Sequence, residues 1–286
     1  MEIRRRPAWL QKRVTPSAHA DMERLLGDLK LHTVCQEALC PNISECFRQR
    51  QATFLILGRR CTRSCSFCNV SSEEPLPPDA AEPTRVATAV GRLKLEHLVI
   101  TSPTRDDLVD GGAAHFAATV AAIRRESPQS RIELLVPDFG GRQESLRTVL
   151  EASPHILGHN LETVPRLYSI RAGADYRRSL ELLSRAATMA PAVLTKSGLM
   201  LGLGEREEEL LAVFRDLRNA GCRFLSLGQY LAPSRRHHPV VDFIPPERFV
   251  ALKEEALSLG FDHVESAPYV RSSYHAAAYA PPSSSE

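Results

Sequence analysis

Six short apolar runs separated by helical patterns occupy the middle of this sequence: TFLIL from Thr53, HLVIT from His97, IELLV from Ile132, ILGHN from Ile156, AVLTKSGLMLG from Ala192 and FLSLGQY from Phe224. Runs this short, with few polar interruptions, read as strands buried on both faces of a parallel sheet. Between them the hydrophobic period lengthens to that of a helix, over 85–95, 113–126, 142–151, 176–190 and 205–220. The last of these opens on acids, carries Leu210, Leu211, Phe214 and Leu217 on one stripe, and stops at Gly221, as the helix dipole and a C-terminal cap require. Strand alternating with helix implies right-handed crossovers and a parallel sheet with helices outside. Six such units are too few for a closed eight-stranded barrel. The expectation is therefore an α/β fold, a partial (β/α)6 TIM-like barrel, with a doubly wound sheet as the other arrangement the pattern allows. In either, ligands meet the carboxyl ends of the strands.

The chain divides into an N-terminal extension over 1–50, the barrel over 51–240 and a C-terminal part over 241–286. The extension has few strand signals and one amphipathic helix within 20–31. The C-terminal part starts a helix behind Pro245 and Pro246, runs through Phe249, Leu252 and Leu257 to Gly260, then gives a short HVESAP strand and a Pro/Ser tail. With 43% hydrophobic residues in 286, a large core can be buried. A net charge of +2, from 36 basic and 34 acidic residues, supplies no field to recruit nucleic acid or an anionic membrane. No apolar run is long enough to span a bilayer, and MEIRRRPAWLQKR has no signal-peptide core, so a cytoplasmic protein is expected.

Six of the seven cysteines fall between Cys35 and Cys68. Disulfides are a poor explanation in a reducing compartment, and Cys65 and Cys68 are too close to close a useful loop. Cys61, Cys65 and Cys68, in CTRSCSFC, directly follow the first strand and so sit at the active face. Three thiolates hold three irons of a 4Fe-4S cluster and leave the fourth open. A zinc site would ask for a fourth ligand and a second pair, neither of which is present. The spacing, with Phe67 before the third cysteine, resembles the radical S-adenosylmethionine (SAM) signature. Cys35, Cys40 and Cys46, in CQEALCPNISEC, are ambiguous alone; beside the second triplet they point to an auxiliary cluster with a fourth ligand from elsewhere. Cys222 reads as a small buried residue.

An ordered set of segments extends this likeness across nearly the whole chain: CQEALCPNISECF, TFLILGRRCTRSCSFCNV, TSPTRDDLVDGGA, VPDFGG, HNLETVPRLY, RAGADYRRSL, TKSGLMLGLGE, GQYLAPSRRHHPV and SAPYVRSSYHA. In these the chain resembles the lipoyl synthases. The resemblance implies a sulfurtransferase with two 4Fe-4S clusters and SAM, which inserts sulfur at carbons six and eight of an octanoyl chain on a carrier-protein lysine. It implies that the auxiliary cluster donates the sulfur and that a serine of RSSY is its missing ligand. Ser272 and Ser273 face opposite ways if that segment is extended, and Ser273 is the choice made here. It further implies an octanoylated lipoyl carrier protein or domain as partner, an electron donor such as flavodoxin or ferredoxin, and an iron-sulfur carrier that rebuilds the auxiliary cluster. Another radical SAM sulfurtransferase, or a non-enzymatic iron-sulfur redox protein, are the rival readings.

Polar residues at strand ends are the candidates for holding SAM: Thr101 and Ser102, Asn160 and Glu162, Lys196 and Ser197. The glycines of TRDDLVDGGA lack a phosphate-loop pattern and are expected to open a helix capped by Asp110. His237 and His238 have no flanking metal-ligand pattern, while Arg235 and Arg236 offer a local positive charge for an acidic carrier.

Overall fold

The computed structural model describes residues 6–12 and 20–279, so the basic opening before Arg6 and the Pro/Ser tail lie outside the described residues. Its frame is one eight-stranded sheet in strict chain order: β1 (His32–Thr33), β2 (Thr53–Leu55), β3 (His97–Thr101), β4 (Arg131–Leu135), β5 (Ile156–Gly158), β6 (Leu194–Leu201), β7 (Phe224–Gln229) and β8 (His263–Ser266). From β2 to β8 every pairing is parallel; β1 alone runs antiparallel, on β2. The six expected strands are β2 to β7, and the short HVESAP strand is β8. The unexpected strand, β1, is two residues long and has no pattern to read.

Helices fill the crossovers. The extension holds α1 (Ala20–Asp28), α2 (Val34–Glu37) and α3 (Ile43–Arg48). The barrel units carry α4 (Glu82–Leu93), α5 (Ala113–Glu126), α6 (Gln143–Glu151), α7 (Tyr176–Met189) and α8 (Glu207–Asn219), and α9 (Pro246–Ser258) leads to β8. Their limits follow local chemistry. Asp110 accepts from the backbone N–H of Gly112, the N-cap of α5, and of Ala114 in its first turn at 2.9 and 2.8 Å, and Asp175 accepts from Arg178 N at 2.8 Å to cap α7. Three glutamates open α8, where the N-terminal dipole favours them.

Alternate residues of each strand face the helices. Phe54, Ile56, Leu98, Ile100, Ile132 and Leu134 join Val86, Phe116, Val120 and Val149 in one core, and Leu199, Leu201, Leu225 and Leu227 join Val213, Phe214, Phe249 and Leu252 in a second. Each such side chain, once buried, contributes about 1.5–3 kcal/mol. The opposite face is concave and partly polar. The turn Ala276–Ala278 lies against β3, while the next residue, Tyr279, packs edge-on against His263 of β8 at 4.9 Å between ring centres. Strands five places apart can touch one short segment only if the sheet is curled around it. Tyr279 is wholly buried with Ile156, Leu194 and Phe224, the first residues of β5, β6 and β7, and so seals the amino-terminal end of the barrel. Among the described residues no helix is long and apolar enough to cross a membrane.

Candidate active site

The CTRSCSFC loop leaves the carboxyl end of β2 and is closed on itself by Cys61 N donating to Ser71 O at 2.7 Å. Backbone N–H groups aim at its sulfurs: Arg63 and Thr104 donate to Cys61 Sγ at 3.4 and 3.3 Å, and Val70 to Cys68 Sγ at 3.5 Å. Such donors stabilise a charged sulfur ligand. The loop is held from outside by Ser66 N donating to Ile170 O at 2.9 Å and His238 N to Ser66 O at 2.8 Å. His237 Nε2 lies 3.2 Å from Cys68 O, so the histidine pair braces the loop.

Burial pushes the Cys65 thiol up, opposed by the Arg171 guanidinium and reinforced by Cys61 and Glu162; burial likewise pushes Cys68 up to about 12. Cys65 and Cys68 therefore feel the neighbouring thiols, and burial favours their protonated forms until a metal takes the proton's place. Among the described residues no three His, Cys, Asp or Glu side chains close on a single ion. A cubane cluster asks for something different, one thiolate per iron around a larger centre, toward which this loop supplies three thiols and backbone N–H groups aimed at two of them.

A charge network bolts the loop to the barrel rim. Arg63 donates to both oxygens of Asp106, at 2.7 and 2.9 Å, and both of Asp138, at 2.7 and 3.0 Å. Asp138 also accepts from Arg178 Nε at 2.9 Å and from Gly140 N at 3.0 Å. Burial alone would raise the Asp138 carboxyl, but the Arg63 hydrogen bonds and charge override it and hold the group far below the usual carboxylate range. No pattern in the sequence marks this network.

The other triplet lies near the opposite, amino-terminal end of the barrel. Cys35 on α2, Cys40 in the turn that follows and Cys46 on α3 line a cavity of about 310 Å³ with Thr53, Arg271, Ser273 and Tyr274. That is roughly the share of ten waters, ample for four irons and four sulfides. Burial and the neighbouring thiols push Cys35 up to about 11 and Cys46 up to about 12. The C-terminal segment is tied over this cavity: Asn42 donates to Tyr269 O at 2.7 Å, Tyr274 OH to Glu45 at 3.1 Å and Thr53 Oγ1 to Ser273 Oγ at 2.6 Å. Residues 271–274 form a turn closed by Tyr274 N on Arg271 O at 2.9 Å, not the extended segment considered from sequence. The two serines still diverge: Ser273 lines the cavity, whereas Ser272 accepts from Asn160 Nδ2 at 2.5 Å. Cys222 is fully buried, its thiol on Phe224 O at 3.3 Å.

The six strand-end polar residues separate into two groups. Ser102 Oγ is buried without a partner just beyond β3, an open position for a ligand. Asn160 and Glu162 lie together in the barrel mouth, with Asn160 Nδ2 on Glu162 Oε1 at 3.0 Å. Burial pushes the Glu162 carboxyl up, opposed by Arg171, and its charge is felt at Cys65 and Cys68. Thr101, Lys196 and Ser197 are committed elsewhere. Thr101 Oγ1 donates to Leu135 O at 2.8 Å, and Ser197 faces the helices, accepting from Leu161 N at 3.2 Å. Lys196 is the third residue of β6, far from its carboxyl end; its Nζ is buried on Glu133 at 2.9 Å and 3.6 Å over the Tyr279 ring.

A family model described as the radical SAM superfamily matches residues 55–217. Among solved structures, methylornithine synthase shares the fold at a TM-score of 0.55 and 14% identity, over 85% of this chain and 77% of that one. A curled, sequentially ordered parallel sheet with three thiols on the loop after its first parallel strand, matched by that family over more than half its length, defines a radical SAM protein. Lipoyl synthase of Geotalea daltonii is 71% identical over 98% of this chain and 95% of its own length. That of Geobacter metallireducens is 66% identical over 98% and 99%. The chain belongs to the lipoyl synthases.

Proposed function

We propose that the two thiol triplets, at opposite ends of one barrel interior, work on a single octanoyl chain lying between them. That arrangement is the observation that carries the reading. The reaction is insertion of two sulfur atoms at carbons six and eight of an octanoyl chain amide-linked to lysine on a carrier protein. Those carbons are unactivated, so no side-chain base reaches their hydrogens; bound SAM and the two 4Fe-4S clusters supply the radical and the sulfur.

The chain's own residues hold, orient and exclude water. Cys61, Cys65 and Cys68 hold the SAM-cleaving cluster, and Cys35, Cys40, Cys46 and Ser273 hold the auxiliary one. Ser102, Asn160 and Glu162 face SAM, while Thr101 and Ser197 are bound into the barrel wall and Lys196 lies toward its far end. Tyr279 and the Lys196–Glu133 pair close the far end of the barrel against water. The exposed Arg235 and Arg236, beside the histidines that brace the cluster loop, suit an acidic carrier. A flavodoxin or ferredoxin as electron donor, an iron-sulfur carrier for repair, and a cytoplasmic setting complete the proposal.

Anaerobic reconstitution tests it: about eight irons per chain are expected for two such clusters, with 5′-deoxyadenosine released from SAM under reductant and lipoyl groups formed on an octanoylated carrier. About four irons, or deoxyadenosine without lipoyl product, would overturn the two-cluster reading. Ser273→Cys should keep the iron and impair sulfur transfer, because thiolate is a softer, better-matched ligand that resists release of its iron. Unimpaired lipoyl formation by that variant would count against the serine's role.

A further inference from the structure

We propose that Asn160 and Ser272 form a latch that turns Ser273 toward the Cys35 triplet, which makes them positioning residues of the auxiliary cluster. The inference rests on the reading of Ser273 as an iron ligand and goes beyond it.

Ser272 and Ser273 are the two corner residues of the 271–274 turn, so the direction of one constrains that of the other. Asn160 Nδ2 donates to Ser272 Oγ at 2.5 Å, and on the other side Thr53 Oγ1 donates to Ser273 Oγ at 2.6 Å. Short hydrogen bonds of this kind suit a hydroxyl whose oxygen takes on negative charge, as Ser273 Oγ would on iron. The barrel wall is cut away to admit the latch. A Cβ at Gly198 would lie 2.7 Å from Ser226 Oγ, 2.9 Å from Asn160 Oδ1 and 3.2 Å from Ser272 Oγ. A Cβ at Gly228 would lie 2.0 Å from Val270 O, one residue before the turn. These two inward positions therefore have to lack a side chain for the segment to seat.

Asn160 uses its other amide hydrogen on Glu162 Oε1 at 3.0 Å, and Glu162 acts electrostatically on Cys65 and Cys68. One amide thus joins the carboxylate beside the SAM cluster to the serine that precedes the auxiliary ligand. Asn160 and Ser272 are both half-buried, and leaving either partly desolvated group without its partner costs free energy, so the latch holds as a unit.

The test uses reconstituted holoprotein carrying Ser272→Ala, Asn160→Ala, both together, or Ser273→Ala, read by Mössbauer and EPR spectroscopy after mild oxidation with ferricyanide. The cluster at Cys61, Cys65 and Cys68 has an open iron that oxidation also removes, so SAM is kept in excess to cover it, and far-UV circular dichroism serves as the reference for folding. Each latch variant should raise the three-iron form of the auxiliary cluster several-fold, the pair together no further than either alone, with Ser273→Ala as the ceiling. Ser272→Ala behaving as wild type while Ser273→Ala loses its iron would overturn the latch and leave the ligand reading standing. Additive effects of the two latch variants would also overturn it. Retention of the fourth iron by Ser273→Ala would remove the ligand reading, and the latch with it.

Discussion

At Gly228 there is no room for even a methyl group, because a Cβ would lie 2.0 Å from the Val270 carbonyl, a backbone atom that cannot swing aside. Gly228→Ala should therefore push the C-terminal segment off the barrel wall and cost about 1–3 kcal/mol, as overpacking does. Amide exchange across 268–279 should quicken at least tenfold, and unchanged exchange would mean that the segment is not seated there. His159 makes a second prediction. Burial, then the Arg171 charge, pushes its imidazole down to about 4 from an ordinary 6.5, while Nδ1 lies 2.8 Å from Val136 O and Nε2 3.0 Å from Ser179 Oγ. The unfolded chain binds this proton first as pH falls, so the stabilisation is complete above 6.5 and is lost progressively toward 4. Between pH 7 and 5 the loss should be about 2 kcal/mol. In urea titrations His159→Gln should flatten that portion of the pH dependence, and an equal slope in the two proteins would refute it. Cys61, Cys65 and Cys68 stand out by spacing, and Cys35, Cys40 and Cys46 only beside them, whereas the neutrality of His159 depends on packing that HNLET does not display.

Elements show the same division. The strands β2 to β7 were legible because a strand buried on both faces must be apolar throughout. The start of α5 was legible from Asp110 and the glycines after it, whereas the Asp175 cap of α7 was not read. What a one-dimensional pattern hides is depth along a strand and which face a residue takes. Lys196 and Ser197 read as one polar strand end, but β6 runs on to Leu201, and neighbours in a strand point to opposite faces. The bracing of the cluster loop was hidden for another reason, since Arg63 and Asp138 are 75 residues apart in the chain. Arg63→Gln would leave Asp138 buried with Arg178 as its remaining ion-pair partner, and breaking such a pair costs about 3 kcal/mol. Thermal unfolding should show the loss, and reconstituted protein should shed iron from the CTRSCSFC loop first. Stability within about 0.5 kcal/mol of wild type would mean the network contributes little.

For the whole molecule, the two hydrophobic cores hold the helices to the sheet, and a single C-terminal segment closes the interior. Deleting residues from Ala267 onward should leave the helical layer standing, uncover Ile156, Leu194 and Phe224, and remove Ser273, the proposed oxygen donor of the auxiliary site. Reconstitution of that shortened chain should then hold about four irons in place of about eight. Eight irons in the truncated protein would show that Ser273 and its neighbours are dispensable for assembly.

The thread that closes the Cys35 cavity comes from the far end of the gene: Thr53 and Ser273, joined at 2.6 Å, are separated by 220 residues. During translation the first three thiols emerge early, whereas the Ser273 hydroxyl, which we propose as their fourth partner, leaves the ribosome only after every strand of the barrel has been made. On that proposal the centre matures after translation, and a nascent chain stalled midway would present three cysteines without their fourth partner.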